Sequence, residues 1–485
     1  VRAPRKKPTR KIAPDIAARL SHRFSLQMQM DGNIAASLGD YSVNLGQFSA
    51  AAMDRARHLS TGLPLASFAG KSAIAKEVDA LVHRLARHGL LEYPLSSSRD
   101  GQDLVVIEPQ VAEYWPRRAK LGSRDTVVLS RFAYLRRRGN EMVLESPRSG
   151  ALFRIGDPAI AATLAALAQP RKINKLNLRA ASSTLYLLEL LLDSQILLKL
   201  DSKDGHGLRV NEGDGHLVLW DFHDLVFHTR STEGRQANPV GAAFTYASVV
   251  PPPPAVRPPW PGSKIDLRKF SSSKPNSPFP NLLRERHSTR DFDDKHPVTL
   301  GELAQFLDTT ARVVSEWKSG PYFDGGSEVT YSTRPYPSAG SAYELELYLT
   351  VSSCEGLARG LYHYDAGSHA LVAISASTQQ LQAHAAAARF AMDAPGQPQI
   401  LITIAARFGR ISWKYSAIAY SLILKDVGSL IQTFYLAATD MGLGGCAIGS
   451  TNIDLFAKMT ELEFHVEGPV GQFALGRGRK PEIQD

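Results

Sequence analysis

Cysteine is almost missing from this 485-residue chain. Cys354 and Cys446 are its only two, far apart and in no CxxC pair. That excludes a disulfide framework and a cysteine zinc site, and it suits a reducing cytosol, so a cytoplasmic location is expected. Long apolar runs are missing too. The best candidate, Tyr186–Leu200, is short and broken by Glu189, Asp193 and Lys199, so it reads as a core helix and no membrane span is expected. The charged start carries no apolar stretch of the signal-peptide kind, so none is expected. A GxGxxG motif is absent. The glycine-rich turn GLGGCAIGS has a different spacing, which speaks against a Rossmann dinucleotide site. His223 and His228, with Asp221 and Asp224 beside them, match no zinc spacing and read as structural; no metal is expected.

The residues that are present describe a globular chain of several domains. Hydrophobic residues make up 44% and charged residues 21%, ordinary values for a soluble protein. The length exceeds what one core usually holds. The net charge of +9 invites a nucleic-acid reading. Arg2, Arg5, Lys6, Lys7, Arg10 and Lys11 alone supply six of those charges, and the rest of the chain carries only +3. A basic tail over 1–16 with three prolines reads as a disordered extension, and no nucleic-acid partner is expected.

Five segments are expected. After the tail come two small units, 17–118 and 119–205, each with strands, then helices, then a closing leucine-rich strand. In the first, RFSLQMQM and YSVNLGQF read as strands and DGNIAASLGD between them as a turn-rich connection. That order suits a winged-helix-like fold, which often binds DNA, but the second unit's last helix has no basic face and a peptide-docking role fits better. A connecting segment over 206–263 contains VVPPPPAVRPPWPG, too proline-dense for a helix or central strand. The last domain, 264–485, is α+β.

The chemistry concentrates in that last domain. Arg284, Arg286, His287 and Arg290 crowd a helix end with Ser288 and Thr289 between them, a grouping of forked cations and hydroxyls that suits a phosphate. Pro337-Ser338-Ala339-Gly340 is a tight loop of small residues leading into the alternating strand ELELYLTV. Arg477 and Arg479 offer a second phosphate contact. Lys414 and Tyr415 stand side by side at the mouth of an apolar helix. On spacing alone they read as a snorkelling lysine beside a half-buried tyrosine.

Taken together, RHSTRDF, PSAG, the glycine-rich turn and the terminal GR resemble the FMN-binding elements of the nitroreductase superfamily. WDFHDLVFH before a proline-rich linker, SWKY and GLYHYD narrow the resemblance to the SagB-type azoline dehydrogenases. The resemblance implies a nitroreductase-like FMN domain, with an antiparallel-rich central sheet flanked by helices, behind the two winged-helix-like units. It implies that Arg286, His287 and Ser288 hold the FMN phosphate and ribityl chain, with Arg290 near the pyrimidine edge. Pro337, Ser338, Ala339, Gly340 and Ser341 would contact flavin across a homodimer interface. The superfamily often has Asn where this chain has Ser341. Ile448 and Gly449 would pass over the flavin edge and Arg477 would bind phosphate. Lys414 and Tyr415 would be the catalytic pair, a base and its helper, which of the two being the base left open.

The implied reaction oxidises thiazoline or oxazoline rings of a ribosomally made precursor peptide to azoles, as in bacteriocin biosynthesis, with dioxygen reoxidising the flavin. A YcaO-type cyclodehydratase is the implied partner in a synthetase complex. The alternatives are a generic NAD(P)H-dependent nitro or quinone reductase and a catalytically silent peptide-binding scaffold.

Overall fold

The computed structural model describes residues 16–22, 24–38, 41–69, 72–96, 102–176, 181–200, 216–234, 247–249, 251–252, 254–257, 261, 263–269, 277–321, 324, 326 and 328–479. The basic tail and much of the proline-rich stretch lie outside the described residues. The chain divides into two compact units. The first comprises 1–218, 225–230 and 234–237, and the second 219–224, 231–233 and 238–485.

The first unit is organised on a seven-stranded sheet. Its order is Leu63–Pro64, Ala17–Leu20, Leu91–Ser96, Asp103–Pro109, Ala151–Ile155, Glu141–Glu145 and Tyr134–Arg138. The neighbours Asp103–Pro109 and Ala151–Ile155 pair antiparallel, and they stand on opposite sides of the expected 118/119 division. The two small units are therefore joined through one sheet and one continuous core. That core holds Leu81, Leu85 and Tyr93 together with Phe153, Leu187 and Leu191. Helix Ala73–Arg87 begins at a serine cap, Ser72, whose side chain accepts from Ala75 N. It buries Val78, Leu81, Val82 and Leu85 at helical spacing. Charge also ties the sheet together. Buried Glu92 accepts from Arg19 on the adjacent strand and from Arg154 two strands away, each at 2.7 Å. One local expectation is corrected here. The segment read as a turn-rich connection contains a strand, Asn33–Leu38, the centre of a three-stranded sheet. Its apolar residues Ile34 and Ala36 alternate into the core, and this period-two burial outweighs the turn residues that flank them.

The second unit carries a six-stranded antiparallel sheet. Its helices and strands in chain order are α1 (Phe279–Glu285), α2 (Leu300–Ala311), β1 (Ser315–Ser319), β2 (Val329–Thr333), β3 (Leu345–Val351), β4 (Gly360–Asp365), β5 (Ala370–Ile374), α3 (Thr378–Met392), β6 (Ile400–Arg407), α4 (Phe408–Ser412), α5 (Ala419–Asp440), β7 (Gly444–Ile448), α6 (Ile453–Thr460) and β8 (Glu467–Gly476). The sheet order is β5-β4-β3-β6-β8-β7. Strands β1 and β2 form a separate hairpin.

Both faces of this sheet are covered, which explains why β6 reads ILITIAA with hardly a polar break. On one face Leu401 packs with Ala388 and Met392 of α3, and Thr403 lies 3.4 Å from buried His384. On the other, Phe473 meets Phe434 and Tyr435 of α5, and Phe434 meets Phe306 of α2. Each such fully buried phenylalanine contributes about 2–3 kcal/mol of burial. Helix α2 starts at a reciprocal cap, in which Thr299 accepts from Glu302 N and Glu302 accepts from Thr299 N. Helix α5 ends just before Gly442, at φ +66, a left-handed position that glycine takes at no steric cost.

Trp220 belongs to this second unit although it precedes the proline-rich stretch. Its indole N–H donates to His465 O at 2.8 Å, and its ring lies 4.5 Å from that of Phe408. Asp224 accepts from Tyr420 N at 3.3 Å. Part of the segment expected to be a connection is thus core of the second unit. His223 is exposed and His228 is fully buried.

Candidate active site

Helix α5 organises two groups of polar residues. Its N-terminal half carries Asp426, and nine residues on it carries Tyr435. A helix rises 1.5 Å per residue, which sets these two stations roughly 13 Å apart along the axis.

The station at Asp426 gathers the small-residue loop and the Lys-Tyr pair. Ala339 N donates to Asp426 Oδ2 at 2.8 Å, and Ser338 Oγ donates to the same oxygen at 2.9 Å. Tyr343 N donates to Ser338 Oγ at 2.9 Å, closing the loop on itself. The loop needs this fastening. Gly340, Ser341 and Tyr343 all have positive φ, at +56, +54 and +46. For the two residues with side chains that conformation costs about 1–2 kcal/mol each. Gly340 is required for a second reason. A Cβ there would stand 2.4 Å from the Tyr415 hydroxyl and 2.7 Å from Lys414 Nζ. Lys414 Nζ donates to Gly340 O at 3.4 Å and lies 5.5 Å from the ring centres of both Tyr331 and Tyr415. Short helix α4, whose Phe408 and Ile411 are buried, delivers the pair to this spot. Trp317, the cross-strand partner of Tyr331 in the hairpin, stacks on it at 5.5 Å.

Behind the loop lies a buried acid pair. Glu344 is fully buried and Asp426 is 6% exposed. Burial, with the Asp426 carboxylate beside it, pushes the Glu344 carboxyl above the ordinary range. Glu344 Oε1 has no hydrogen-bond partner among the described residues.

The station at Tyr435 gathers the arginine-rich segment and β7. The Tyr435 hydroxyl lies 2.9 Å from Ser288 Oγ and accepts from Ala447 N at 2.8 Å. Thr289 N donates to Gly445 O at 2.8 Å. The Arg286 guanidinium lies over the Tyr435 ring at 5.0 Å and has no carboxylate within ion-pair distance among the described residues. Arg290 is exposed nearby. Ile448 is buried at the end of β7, and the backbone at Gly449 faces open space. These residues offer cations, a hydroxyl and accessible backbone to one anion, and they fit a phosphate-bearing cofactor. His287 instead rests on its own backbone, its Nδ1 2.9 Å from Glu285 O. Arg477 is engaged within the chain, with Nη2 2.7 and 2.8 Å from the two Glu302 carboxylate oxygens and Nε 3.1 Å from His296 O. Arg479 pairs with Asp291 at 3.3 Å.

Residues 283–477 match the nitroreductase family. These bounds enclose both stations. The second unit carries a nitroreductase-family domain, and the family matches indicate an oxidoreductase. Residues 127–237 match a second family, described as cyanobactin oxidase ThcOx. A nitroreductase-type domain combined with such a segment is the arrangement that the resemblance to SagB-type azoline dehydrogenases implies. A protein named as a nitroreductase in Methanocaldococcus jannaschii is 29% identical over 172 residues, 35% of this chain and 77% of that protein. Among solved structures, a chain of the E. coli microcin synthetase complex McbBCD with truncated pro-MccB17 bound is 22% identical, with a TM-score of 0.38, covering 58% of this chain and all of that one. A nitroreductase-type structure from Ralstonia eutropha is also 22% identical, with a TM-score of 0.33, covering 43% of this chain and 88% of that one.

Sequence reasoning missed Asp426, Glu344, Tyr435 and Tyr331. Two left a signal. Asp426 is an acid on the apolar stripe of α5, between Ile423 and Leu430, and Glu344 opens the alternating run into β3. An acid on a buried face asks for a partner.

Proposed function

We propose that this oxidoreductase is an FMN-dependent azoline dehydrogenase, acting on thiazoline or oxazoline rings of a ribosomally made peptide. The observation that carries this reading is the convergence of Lys414 Nζ and the Tyr415 hydroxyl on Gly340, in a nitroreductase-family unit whose chain also has the cyanobactin-oxidase match. Oxidising an azoline to an azole removes a proton from the α-carbon and a hydride from the adjacent ring carbon. The Lys-Tyr pair takes up the proton. Bound FMN would supply the two-electron acceptor. Arg286, Ser288 and Arg290 would hold its phosphate end. Dioxygen as the final oxidant belongs to the same proposal.

A homodimer and a docking role for the first unit belong to the same proposal. A homodimer lets the Gly340 loop and the Lys-Tyr pair of one protomer meet the Arg286 group of the other, which accounts for the roughly 13 Å between the stations within one chain. The first unit docks the precursor peptide or a cyclodehydratase. The deciding experiment is Lys414→Ala. The variant keeps its yellow flavin and loses azoline oxidation by about a hundredfold or more, read as a loss of two hydrogens per ring by mass spectrometry. Full activity in that variant, or a wild-type protein that releases no FMN on denaturation, rules the reading out.

A further inference from the structure

A ladder of aromatic rings leads away from the Lys-Tyr pair. Lys414 Nζ lies 5.5 Å from the Tyr331 ring centre, and the Arg410 guanidinium lies 5.9 Å from it. Trp317 covers the same ring from the neighbouring strand, with centroids 5.5 Å apart and planes inclined by 22°. Tyr331 is buried, so its ring is used up inside the protein. The indole is not. Trp317 is 42% exposed although it stacks on Tyr331.

The ladder is held in a fixed place. Trp317 and Tyr331 stand directly opposite each other in the hairpin of β1 and β2. Two residues along both strands, Ser315 Oγ lies 2.7 Å from Thr333 Oγ1. A two-stranded ribbon is marginal by itself, and Arg410 supplies the missing support. Its Nη2 donates to Thr330 O in β2 at 2.6 Å, and its Nε donates to Ala342 O, just beyond Gly340, at 2.8 Å. Arg410 belongs to α4, the short helix that delivers Lys414. One guanidinium therefore fastens the hairpin, the Gly340 loop and the helix of the pair to one another.

Strand β1 is exposed at Ser315, Glu316, Trp317 and Lys318, and Trp317 is the one apolar residue among these four. It has apolar company elsewhere in the unit. Val314 just before β1, Trp413 just before Lys414 and Ile418 just before α5 are each more than half exposed. Large apolar side chains left open around a polar pair mark a contact surface. The proposed reaction suggests what touches it. An azoline has two tetrahedral ring carbons and is puckered, whereas its azole product is flat. A peptide with several such rings presents an already oxidised, planar neighbour beside the ring being oxidised. Planar heteroaromatic rings stack on aromatic side chains, as nucleobases do. Two steps of 5.5 Å separate Lys414 Nζ from the indole, a reach that two or three extended residues cover at roughly 3.5 Å each.

We propose that Trp317 is a stacking platform for an azole ring already present in the substrate peptide, so that azolines with an oxidised neighbour within three residues are preferred. The identity of the peptide rests on the azoline reading; the affinity of the indole for a planar ring does not.

The test uses the full chain and paired synthetic peptides, each with one azoline and with either a thiazole or an alanine one, two or three residues away. Wild-type protein favours the thiazole peptide by about fivefold in kcat/KM, mainly through KM. Trp317→Leu keeps an apolar cover on Tyr331 but removes the ring, and it brings that ratio to about one. Equal use of the two peptides by wild type at all three spacings, or a preference that survives Trp317→Leu, overturns the platform. If the leucine variant does not fold, Trp317→Phe decides: its smaller ring about halves the preference, and an undiminished preference overturns the platform. Calorimetric binding of peptides that carry a thiazole or an alanine and no azoline separates the two readings. If no azoline is oxidised, but wild type binds the thiazole peptide about fivefold more tightly and Trp317→Leu does not, the azoline reading fails and the platform stands. If Trp317→Leu shifts the protein towards monomer and leaves the preference unchanged, the indole is a contact between copies and the proposal is refuted.

Discussion

The two stations on α5 handle charge in opposite ways. At Tyr435 the cations Arg286 and Arg290 lack carboxylate partners among the described residues, and a phenol fixes Ser288 and the β7 backbone beside them. At Asp426 the acids are buried, paired with each other and bonded to the loop, while the cation of Lys414 sits on a carbonyl and two aromatic rings. One end is prepared to receive an anion. The other holds a strained loop and, under the proposed function, moves a proton. The same helix can serve both because its buried stripe sets an acid, Asp426, and a phenol, Tyr435, nine residues apart among apolar residues.

The sharpest way to break this comparison is to mix protomers. Arg286→Ala alone is expected to lose flavin and Lys414→Ala alone to lose turnover. If the stations of different protomers form one site, a heterodimer of the two variants contains one intact site and recovers about half the wild-type activity per dimer. Recovery of nothing in a verified heterodimer means that both stations of one chain serve the same flavin, and the dimeric arrangement is wrong.

A smaller effect is expected behind the loop. Asp426→Ala removes the acceptor of Ser338 Oγ and Ala339 N, and the three left-handed residues Gly340, Ser341 and Tyr343 lose their fastening. Stability should fall by about 2–3 kcal/mol, measured by denaturant unfolding, and turnover should fall more than flavin affinity. Equal losses of both would mean that the two stations are not independent.

The smallest effect is a pH dependence. Glu344 has its carboxyl raised from 4.5 to about 7. An acid with a raised pKa binds more protons folded than unfolded, so its contribution to stability is present below about pH 4.5 and declines as pH rises towards about 7. Glu344→Gln should flatten that decline and raise the melting temperature by a few degrees at pH 8, with little change at pH 4.5. A wild-type profile that rises over this interval, unaltered in Glu344→Gln, would show the acid pair to be fully ionised.

Much of the fold could be read because local pattern and burial agree. The alternating run ELELYLTV and the apolar helix that follows Lys414 and Tyr415 are a strand and a helix in the structure. Reading failed where burial decided. Asn33–Leu38 looked like a connection because turn residues flank it, yet its alternation places Ile34 and Ala36 in the core. The 118/119 division looked real because helix-then-strand order repeats, yet Asp103–Pro109 pairs with Ala151–Ile155 across it.

The candidate site divides the same way. Residue type and local spacing marked the PSAG loop and the arginines after α1, whereas Lys414 with Tyr415 read on spacing alone as a snorkelling lysine beside a half-buried tyrosine and became a candidate pair only through the family resemblance. Only the tertiary structure put Gly340 against Lys414 and Tyr415, tied Ser338 to an acid 88 residues away, and turned Arg477 to Glu302. Those are long-range pairings, set by how β3, β6 and α5 stack. No local spacing encodes them, since a side chain's partner depends on which buried face it meets and not on its neighbours in the chain.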